Sequence, residues 1–328
     1  CDKILPMSIK EEILKKLDEE KGNPVSGEEL AEQLGVSRNA IWKAVKVLRE
    51  EGYGIQATTN KGYVLSSASD VLTAEKIRSR LSFNCNVIVK KCVDSTNDEV
   101  KALAAQGATE WTVVIAEEQT KGRGRNQRSF FSPRGTGLYM SVLFRPTFSS
   151  SESLFVTTSA AVTVCEAIEK VSGKKAQIKW VNDVFLGEKK VCGILTEASF
   201  SVENNGMEYV IAGIGINVKE GAFPRELQGI ATSVFGKYCP SDARTDLAAT
   251  LLERLKFYYD GIPSRSFYPQ YEKRCFIIGR EVIVCSGKIT GKAIVEGIDE
   301  NCFLKVRFED GTESLLSSGE VSLRPIFN

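Results

Sequence analysis

The chain has 328 residues, enough for two or three domains and at least one large core, and its 43 Lys and Arg nearly balance 42 Asp and Glu. A net charge of +1 means that any nucleic-acid binding has to come from a local patch. Histidine is absent, which excludes Ser-His-Asp triads, Cys-His dyads and zinc sites that need imidazole; the nine scattered cysteines, with no C-x-x-C, argue for reduced thiols in cytoplasm.

No apolar run is long enough to span a bilayer and no signal peptide is visible, so no membrane partner is expected. The first residue is Cys1 and not Met, which leaves the true start open. Ser8 is placed to cap a helix carrying Ile9, Ile13, Leu14 and Leu17 on one face, and Gly22-Asn23-Pro24 stops it. Ser26 starts a second helix with Leu30, Ala31 and Leu34. Gly35-Val36-Ser37 then turns into a third, whose Ile41, Ala44, Val45 and Leu48 recur at helical spacing. Two short helices joined by a Gly turn predict a helix-turn-helix. The third helix, capped by Ser37, exposes Arg38, Asn39, Trp42, Lys43, Lys46 and Arg49, a set rich in donors for phosphates and base edges in a major groove; Ser37, Arg38, Asn39, Trp42, Lys43 and Lys46 are the candidate DNA contacts. An exposed charged helix of a protein-binding module has the same pattern. Tyr53-Gly54-Ile55 and Tyr63-Val64-Leu65, around a tip at Thr58 to Gly62, read as a small hairpin, a wing. The predicted winged helix-turn-helix domain covers residues 1–66, and Ser66 to Asp70 reads as a linker.

Over residues 67–272 strands and helices alternate with short turns, which predicts an α+β domain with a mixed sheet. Between the strand patterns Thr112 to Ala116 and Leu138 to Phe144 lies Glu117 to Pro133, a stretch of Gly, Arg, Lys, Ser and Pro. Its arginines offer forked donors and its glycines let backbone amides come close to an anion; a solvated basic hairpin loop is the plainer alternative. Asp94-Ser95-Thr96-Asn97 sits at a strand-to-helix turn, where it can cap the helix or bind a polar ligand. Lys179-Trp180-Val181-Asn182-Asp183 gathers a base, an amide and an acid at a strand end, either for chemistry or as a surface ion pair. Gly213-Ile214-Gly215-Ile216-Asn217 puts glycines in an apolar strand, for a ligand or for close strand packing. There is no P-loop and no full G-x-G-x-x-G, so a bound nucleotide is held in another way. Residues 273–328 show short alternating strands separated by turns, the pattern of a five-stranded SH3-like β-barrel.

In this domain order, the chain resembles the bacterial bifunctional biotin protein ligase and biotin operon repressor. The resemblance rests on Gly122-Arg123-Gly124-Arg125, Lys179-Trp180-x-Asn182-Asp183, Lys190-x-x-Gly193-Ile194-Leu195 and Gly213-x-Gly215-Ile216-Asn217. It implies an ATP-dependent ligase that forms biotinyl-5'-AMP, with Mg²⁺ on the phosphates, and transfers biotin to a lysine of a biotin carboxyl carrier protein. It also implies a biotin-responsive repressor that binds the operator DNA of biotin genes as a ligand-dependent homodimer. By this resemblance Ser95, Thr96, Asn97, Gln119, Arg123, Gly124, Arg125, Lys190 and Gly193 form the biotin site, and Phe130, Lys179, Asn182 and Asn217 the ATP side. Arg125 and Lys190 stabilise the reacting phosphorus, and Asp183 assists the incoming lysine; no metal ligands are assigned. The basic loop becomes a flap over biotin and the acyl-adenylate. The chain departs from the family pattern at Asn126-Gln127, where Arg-Gly is usual, at Phe130, where tryptophan is usual, and at Val181, where proline is usual. Two other readings stay open: a lipoate- or octanoate-type acyl-adenylating ligase, and a biotin-sensing regulator that has lost ligase activity.

Overall fold

The structure, a computed structural model, describes residues 8–51, 53–58, 61–67, 69–149, 152–201, 206–221, 223–286 and 289–323. The chain folds as two compact units: one runs to Val71 and takes in Cys239–Ala243, and the other holds Leu72–Tyr238 and the chain from Arg244 onward.

The first unit contains α1 (Ile9–Glu19), α2 (Gly27–Gln33), α3 (Arg38–Glu50) and an antiparallel hairpin of β1 (Ile55–Thr58) and β2 (Gly62–Leu65). Each helix begins at the serine that the sequence marks. Ser8 and Glu11 form a reciprocal capping box, with the Ser8 amide donating to the Glu11 carboxylate at 2.8 Å. Ser26 accepts from the Glu28 amide, and Ser37 from the Ala40 amide, each at 3.2 Å. Such caps satisfy amides that the first helical turn leaves without partners. Gly35, at φ +63, makes the turn between α2 and α3. Ile13, Leu17, Leu30, Ile41, Val45, Leu48 and Leu65 form the shared core, each worth about 1.5–3 kcal/mol for full burial. Thr59 and Asn60 at the hairpin tip, like Cys1, lie outside the described residues.

The second unit is built on seven strands: β3 (Asn86–Lys90), β4 (Thr112–Ala116), β5 (Gly137–Phe144), β6 (Gln177–Lys179), β7 (Asp183–Leu186), β8 (Lys189–Ser201) and β9 (Gly206–Asn217). Their order is β3-β4-β5-β9-β8-β7-β6, with β3 and β4 parallel and every other pair antiparallel, the mixed sheet that the sequence predicts. The helices are α4 (Ala74–Arg78), α5 (Thr96–Ala105), α6 (Ser153–Ser172), α7 (Ala243–Asp260) and α8 (Tyr268–Arg274), the last not anticipated from sequence. On one face α5 packs Val100 and Ala104 against Val114, Leu143, Tyr209 and Ile211. On the other, Thr157 of α6 meets Thr196 of β8 at 2.7 Å. Strand alternation therefore leaves Gly193, Leu195 and Glu197 of β8 on the α5 face. α6 is apolar around most of its surface because it is covered by both the sheet and α8.

The chain ends in β10 (Glu281–Ser286), β11 (Ile289–Ile298), β12 (Leu304–Phe308), β13 (Glu313–Leu316) and β14 (Glu320–Leu323), ordered β13-β12-β11-β10-β14 and antiparallel throughout. Among the described residues no ladder joins β13 to β14, so this module is an antiparallel sheet and not a closed barrel. One bond to this module and one from α8 fix the β6–β7 turn. The Trp180 indole donates to the Cys302 carbonyl at 2.9 Å, and the Tyr271 hydroxyl of α8 donates to the Val181 carbonyl at 3.0 Å.

Candidate active site

A cavity of roughly 390 Å³ opens on the α5 face of the large sheet, a size suited to a small ligand. Its walls come from the start of α5, the 117–133 loop, the β6–β7 turn, β8, β9 and β14. Every residue expected to hold biotin or ATP lines it, and so does Asp183, expected to assist the incoming lysine: Ser95, Thr96 and Asn97; Gln119, Arg123, Gly124, Arg125 and Phe130; Lys179 and Asn182; Lys190, Gly193 and Asn217.

Ser95, Thr96 and Asn97 are buried at the start of α5. Ser95 is the N-cap residue but its side chain makes no cap bond, so capping does not account for its hydroxyl. Thr96 donates its amide and its hydroxyl to Gln119 Oε1, at 2.9 and 3.1 Å. The Gln119 amide nitrogen donates to Ser132 at 2.9 Å, and Ser132 donates to the Phe130 carbonyl at 3.0 Å. This chain of bonds fixes which end of Gln119 accepts and which donates. The buried Ser141 hydroxyl of β5 lies 2.7 Å from Thr96 Oγ1 and 2.6 Å from Asn97 Oδ1, sharing its hydrogen between them. Asn97 Nδ2 donates to Glu197 Oε2 at 2.6 Å and to the Leu195 carbonyl at 3.3 Å.

The Asn97 side chain thus crosses β9 from β5 to β8, and it does so at Gly213, which pairs with Ser141 on one side and Leu195 on the other. A Cβ on Gly213 would stand 2.2 Å from Asn97 Oδ1. Two residues on, a Cβ on Gly215 would stand 2.5 Å from the Phe130 ring. Gly193 faces Gly215 across β8 and β9, and a Cβ there would meet Lys190 Nζ at 3.3 Å and Phe130 at 3.4 Å. The Gly-x-Gly strand is therefore a floor that admits Asn97 and Phe130, which close strand packing alone does not explain.

Lys190 Nζ pairs with Asp183 Oδ1 at 2.7 Å. Arg125 donates to Asn182 Oδ1 at 3.0 Å and to the Gly319 carbonyl at 3.3 Å, so the C-terminal sheet reaches the cavity. Asn182 Nδ2 donates to the Ile194 carbonyl at 2.8 Å, and Asn217 Nδ2 to the Thr232 carbonyl at 3.1 Å, which fixes both amides. Lys190, Arg125 and Asp183 together leave one excess positive charge in a partly desolvated cavity, a setting that favours phosphate. Arg123 is oriented differently: its Nη2 donates to Asp98 at 2.6 Å and to Glu197 at 3.0 Å. Phe130 meets Tyr139 edge-to-face at 6.5 Å. Burial pushes the Tyr139 phenol up to about 12, so it stays neutral and donates to the Pro133 carbonyl at 2.9 Å.

The loop is a small hairpin in which the Phe130 amide donates to the Gly122 carbonyl at 2.8 Å and the Gly124 amide to the Arg128 carbonyl at 2.7 Å. Its tip places Asn126 at φ 52 and Gln127 at φ 59, both in the left-handed region. Asn tolerates that region, whereas Gln127, standing where the family pattern has glycine, costs on the order of 1 kcal/mol.

Ser132, Ser141 and Glu197 were missed by sequence reasoning. Ser141 carries a signal in hindsight, as a polar residue within a run of fully buried apolar positions. Glu197 could have been found by counting alternate residues along β8 from Gly193. Ser132 has no comparable signal. Among the described residues no group of three or more His, Cys, Asp or Glu side chains could hold a metal.

In the first unit, Ser37, Arg38, Asn39, Trp42, Lys43 and Lys46 are all exposed along α3. The Ser37 hydroxyl is committed to its cap. Trp42 is 53% exposed, with Lys46 Nζ 5.9 Å from its ring centroid. Arg49 is tied to the hairpin by a 2.7 Å bond from its Nε to the Ile55 carbonyl.

Comparison with known proteins agrees with this geometry. The biotin/lipoate A/B protein ligase family matches residues 89–217, an HTH domain matches 10–64, and the biotin protein ligase C-terminal domain matches 277–324. The bifunctional ligase/repressor BirA of Bacillus subtilis is 34% identical over 304 residues, which is 90% of this chain and 92% of that protein. Its counterpart in Escherichia coli is 30% identical, covering 91% of this chain and 92% of that one. The structure of biotin protein ligase from Aquifex aeolicus, in complex with biotin and ATP, superposes with a TM-score of 0.60 at 31% identity, over 73% of this chain and 98% of that chain. The chain is a member of the biotin/lipoate A/B protein ligase family and, within it, of the bifunctional ligase/repressors.

Proposed function

We propose that this chain joins biotin to ATP as biotinyl-5'-AMP, passes the biotinyl group to one lysine of a biotin carboxyl carrier protein, and represses biotin genes when ligand is bound. The observation that carries the enzymatic reading is the convergence of Lys190, Arg125, Asn182 and Asp183 in one cavity. In the first step a biotin carboxylate oxygen attacks the α-phosphorus of ATP, and the bond to pyrophosphate breaks. Charge grows on the phosphoryl oxygens, and Lys190 and Arg125 are the cations placed to meet it. No protein nucleophile is needed, which suits a chain without histidine. In the second step the lysine amine attacks the acyl carbon, AMP leaves, and Asp183 orients the amine and takes its proton. The Thr96–Gln119–Ser132 chain, with Ser95, supplies donors and acceptors for the polar end of biotin, and Phe130 with Lys179, Asn182 and Asn217 serves the nucleotide. Mg²⁺ arrives on the ATP phosphates and neutralises part of their charge.

On the DNA side, α3 enters a major groove with Arg38, Asn39, Trp42, Lys43 and Lys46, and the β1–β2 hairpin acts as a wing. The operator is bound by a ligand-dependent homodimer. The domains divide at residues 66 and 272. The C-terminal sheet is read as SH3-like, which the return of β14 to β10 supports. A cytoplasmic setting is supported by the described cysteines, all of them free. The enzymatic reading is tested by biotin-dependent exchange of labelled pyrophosphate into ATP. Exchange driven by lipoate or octanoate and not by biotin would replace it.

A further inference from the structure

Glu197 takes no part in the steps above, yet it joins two separate walls of the cavity. Its Oε2 accepts from Asn97 Nδ2 at 2.6 Å and from Arg123 Nη2 at 3.0 Å. Asn97 belongs to the buried start of α5, whereas Arg123 belongs to the loop hairpin. The same Arg123 nitrogen also donates to Asp98 at 2.6 Å. A guanidinium already flanked by two carboxylates presents net negative charge to a third, so Arg123 is poorly placed to draw in an anionic ligand. It is well placed to hold the loop. Of its two anchors, Asp98 has the more exposed side chain, at 52% against 34% for Glu197. Glu197 also stands on β8, where it is paired with Ile211 of β9, so its backbone does not follow the loop if the loop lifts.

We propose that Glu197 is a positioning residue that clamps the 117–133 loop over the cavity through Arg123 while holding Asn97 square to β9, and so sets how long ligand stays bound. This rests on the reading of the cavity as the biotin site. The discriminating variant is Glu197→Gln, which keeps an acceptor for the Asn97 amide and removes the charge that Arg123 needs. Release of labelled biotinyl-5'-AMP from the full chain is followed after a chase with unlabelled compound, alongside KM and kcat for biotin in pyrophosphate exchange. The clamp predicts release at least fivefold faster, a biotin KM at least fivefold higher, and a fall in kcat smaller than the rise in KM. Raising the salt concentration speeds release more from the wild-type chain than from the variant, in which only the more exposed Arg123–Asp98 pair is left to screen. Unchanged release and KM would overturn the proposal. Slower release with a lower KM would also overturn it, by making Glu197 a competitor of the ligand. If Glu197→Gln fails to fold, Arg123→Gln tests the same tie from the loop, with the same expectation for release. A wild-type chain that forms no adenylate would sink the site reading and this proposal with it, whereas adenylate formation with unchanged release sinks the proposal alone.

Discussion

Replacing Gly213 with alanine tests whether the Gly-x-Gly strand exists to admit side chains from above. The new methyl would stand 2.2 Å from Asn97 Oδ1, 2.9 Å from Cγ and 3.1 Å from Nδ2. Carbon contacts settle near 3.5–4.0 Å, so the amide has to move by about 1 Å or more. It cannot do so freely, because Ser141, Glu197 and the Leu195 carbonyl hold it. Overpacking costs about 1–3 kcal/mol, and stranding buried polar groups costs about 1–3 kcal/mol. Alanine returns about 0.4–1 kcal/mol by restricting the unfolded chain. The net expectation, destabilisation by about 2–4 kcal/mol, is read from urea unfolding of the full chain followed by intrinsic fluorescence, with a raised biotin KM in the same preparation. Gly215→Ala is the control. Its methyl meets the Phe130 ring at 2.5 Å, but that ring sits on a loop and can swing away. Its cost in stability stays below about 1 kcal/mol while activity falls. A Gly213→Ala chain within 0.5 kcal/mol of wild type, with a normal KM, would refute the account of the glycine floor.

Lys190→Ala and Arg125→Ala are each expected to reduce ATP-dependent biotin transfer at least a hundredfold with unchanged circular dichroism; near-normal transfer by both would remove them from the chemistry. Operator binding, followed by fluorescence anisotropy, is expected to tighten when biotin and ATP are added, and Lys46→Ala to weaken it across sequences and flatten its salt dependence. Binding indifferent to the ligands would remove the repressor switch. Stability is expected to fall in alkali. Burial pushes the Cys85, Cys275 and Cys302 thiols from their ordinary 9.0 up to about 12, and the Tyr139 phenol from 10.0 up to about 12. Between those values the folded chain keeps protons that the unfolded chain has lost. Their contribution is therefore whole below about pH 9 and drains as pH rises toward 12. Urea midpoints at pH 7, 9 and 10.5 measure this; a constant midpoint would contradict it.

Much of the architecture is legible from local signals. Ser8, Ser26, Ser37 and Thr73 cap helices where the apolar periodicity begins. The strands around the basic loop fall close to where the apolar runs place them, because β4 and β5 are buried along their whole length. α8 was not legible: its seven residues start at Tyr268-Pro269 and bury chiefly Tyr271, too short for a helical period to emerge. The site was legible as motifs and not as a network. Nothing in the order of residues says that Asn97 spans three strands, since that depends on the pairing of Ser141, Gly213 and Leu195 across a sheet whose order is not the chain order. Arg123 is expected to order the loop as well as to line the biotin site, and the first of these needs partners that the motif does not show. The motif groups it with Arg125, but its guanidinium faces Asp98 and Glu197.

The central claim, that this cavity activates biotin with ATP for transfer to protein, is tested most directly by incubating the full chain with labelled biotin, Mg²⁺ and a biotin carboxyl carrier domain, with and without ATP. The account predicts label on one acceptor lysine only when ATP is present, with AMP and pyrophosphate released in equal amounts. Label that appears without ATP, or an acceptor left unlabelled with ATP present, would contradict it.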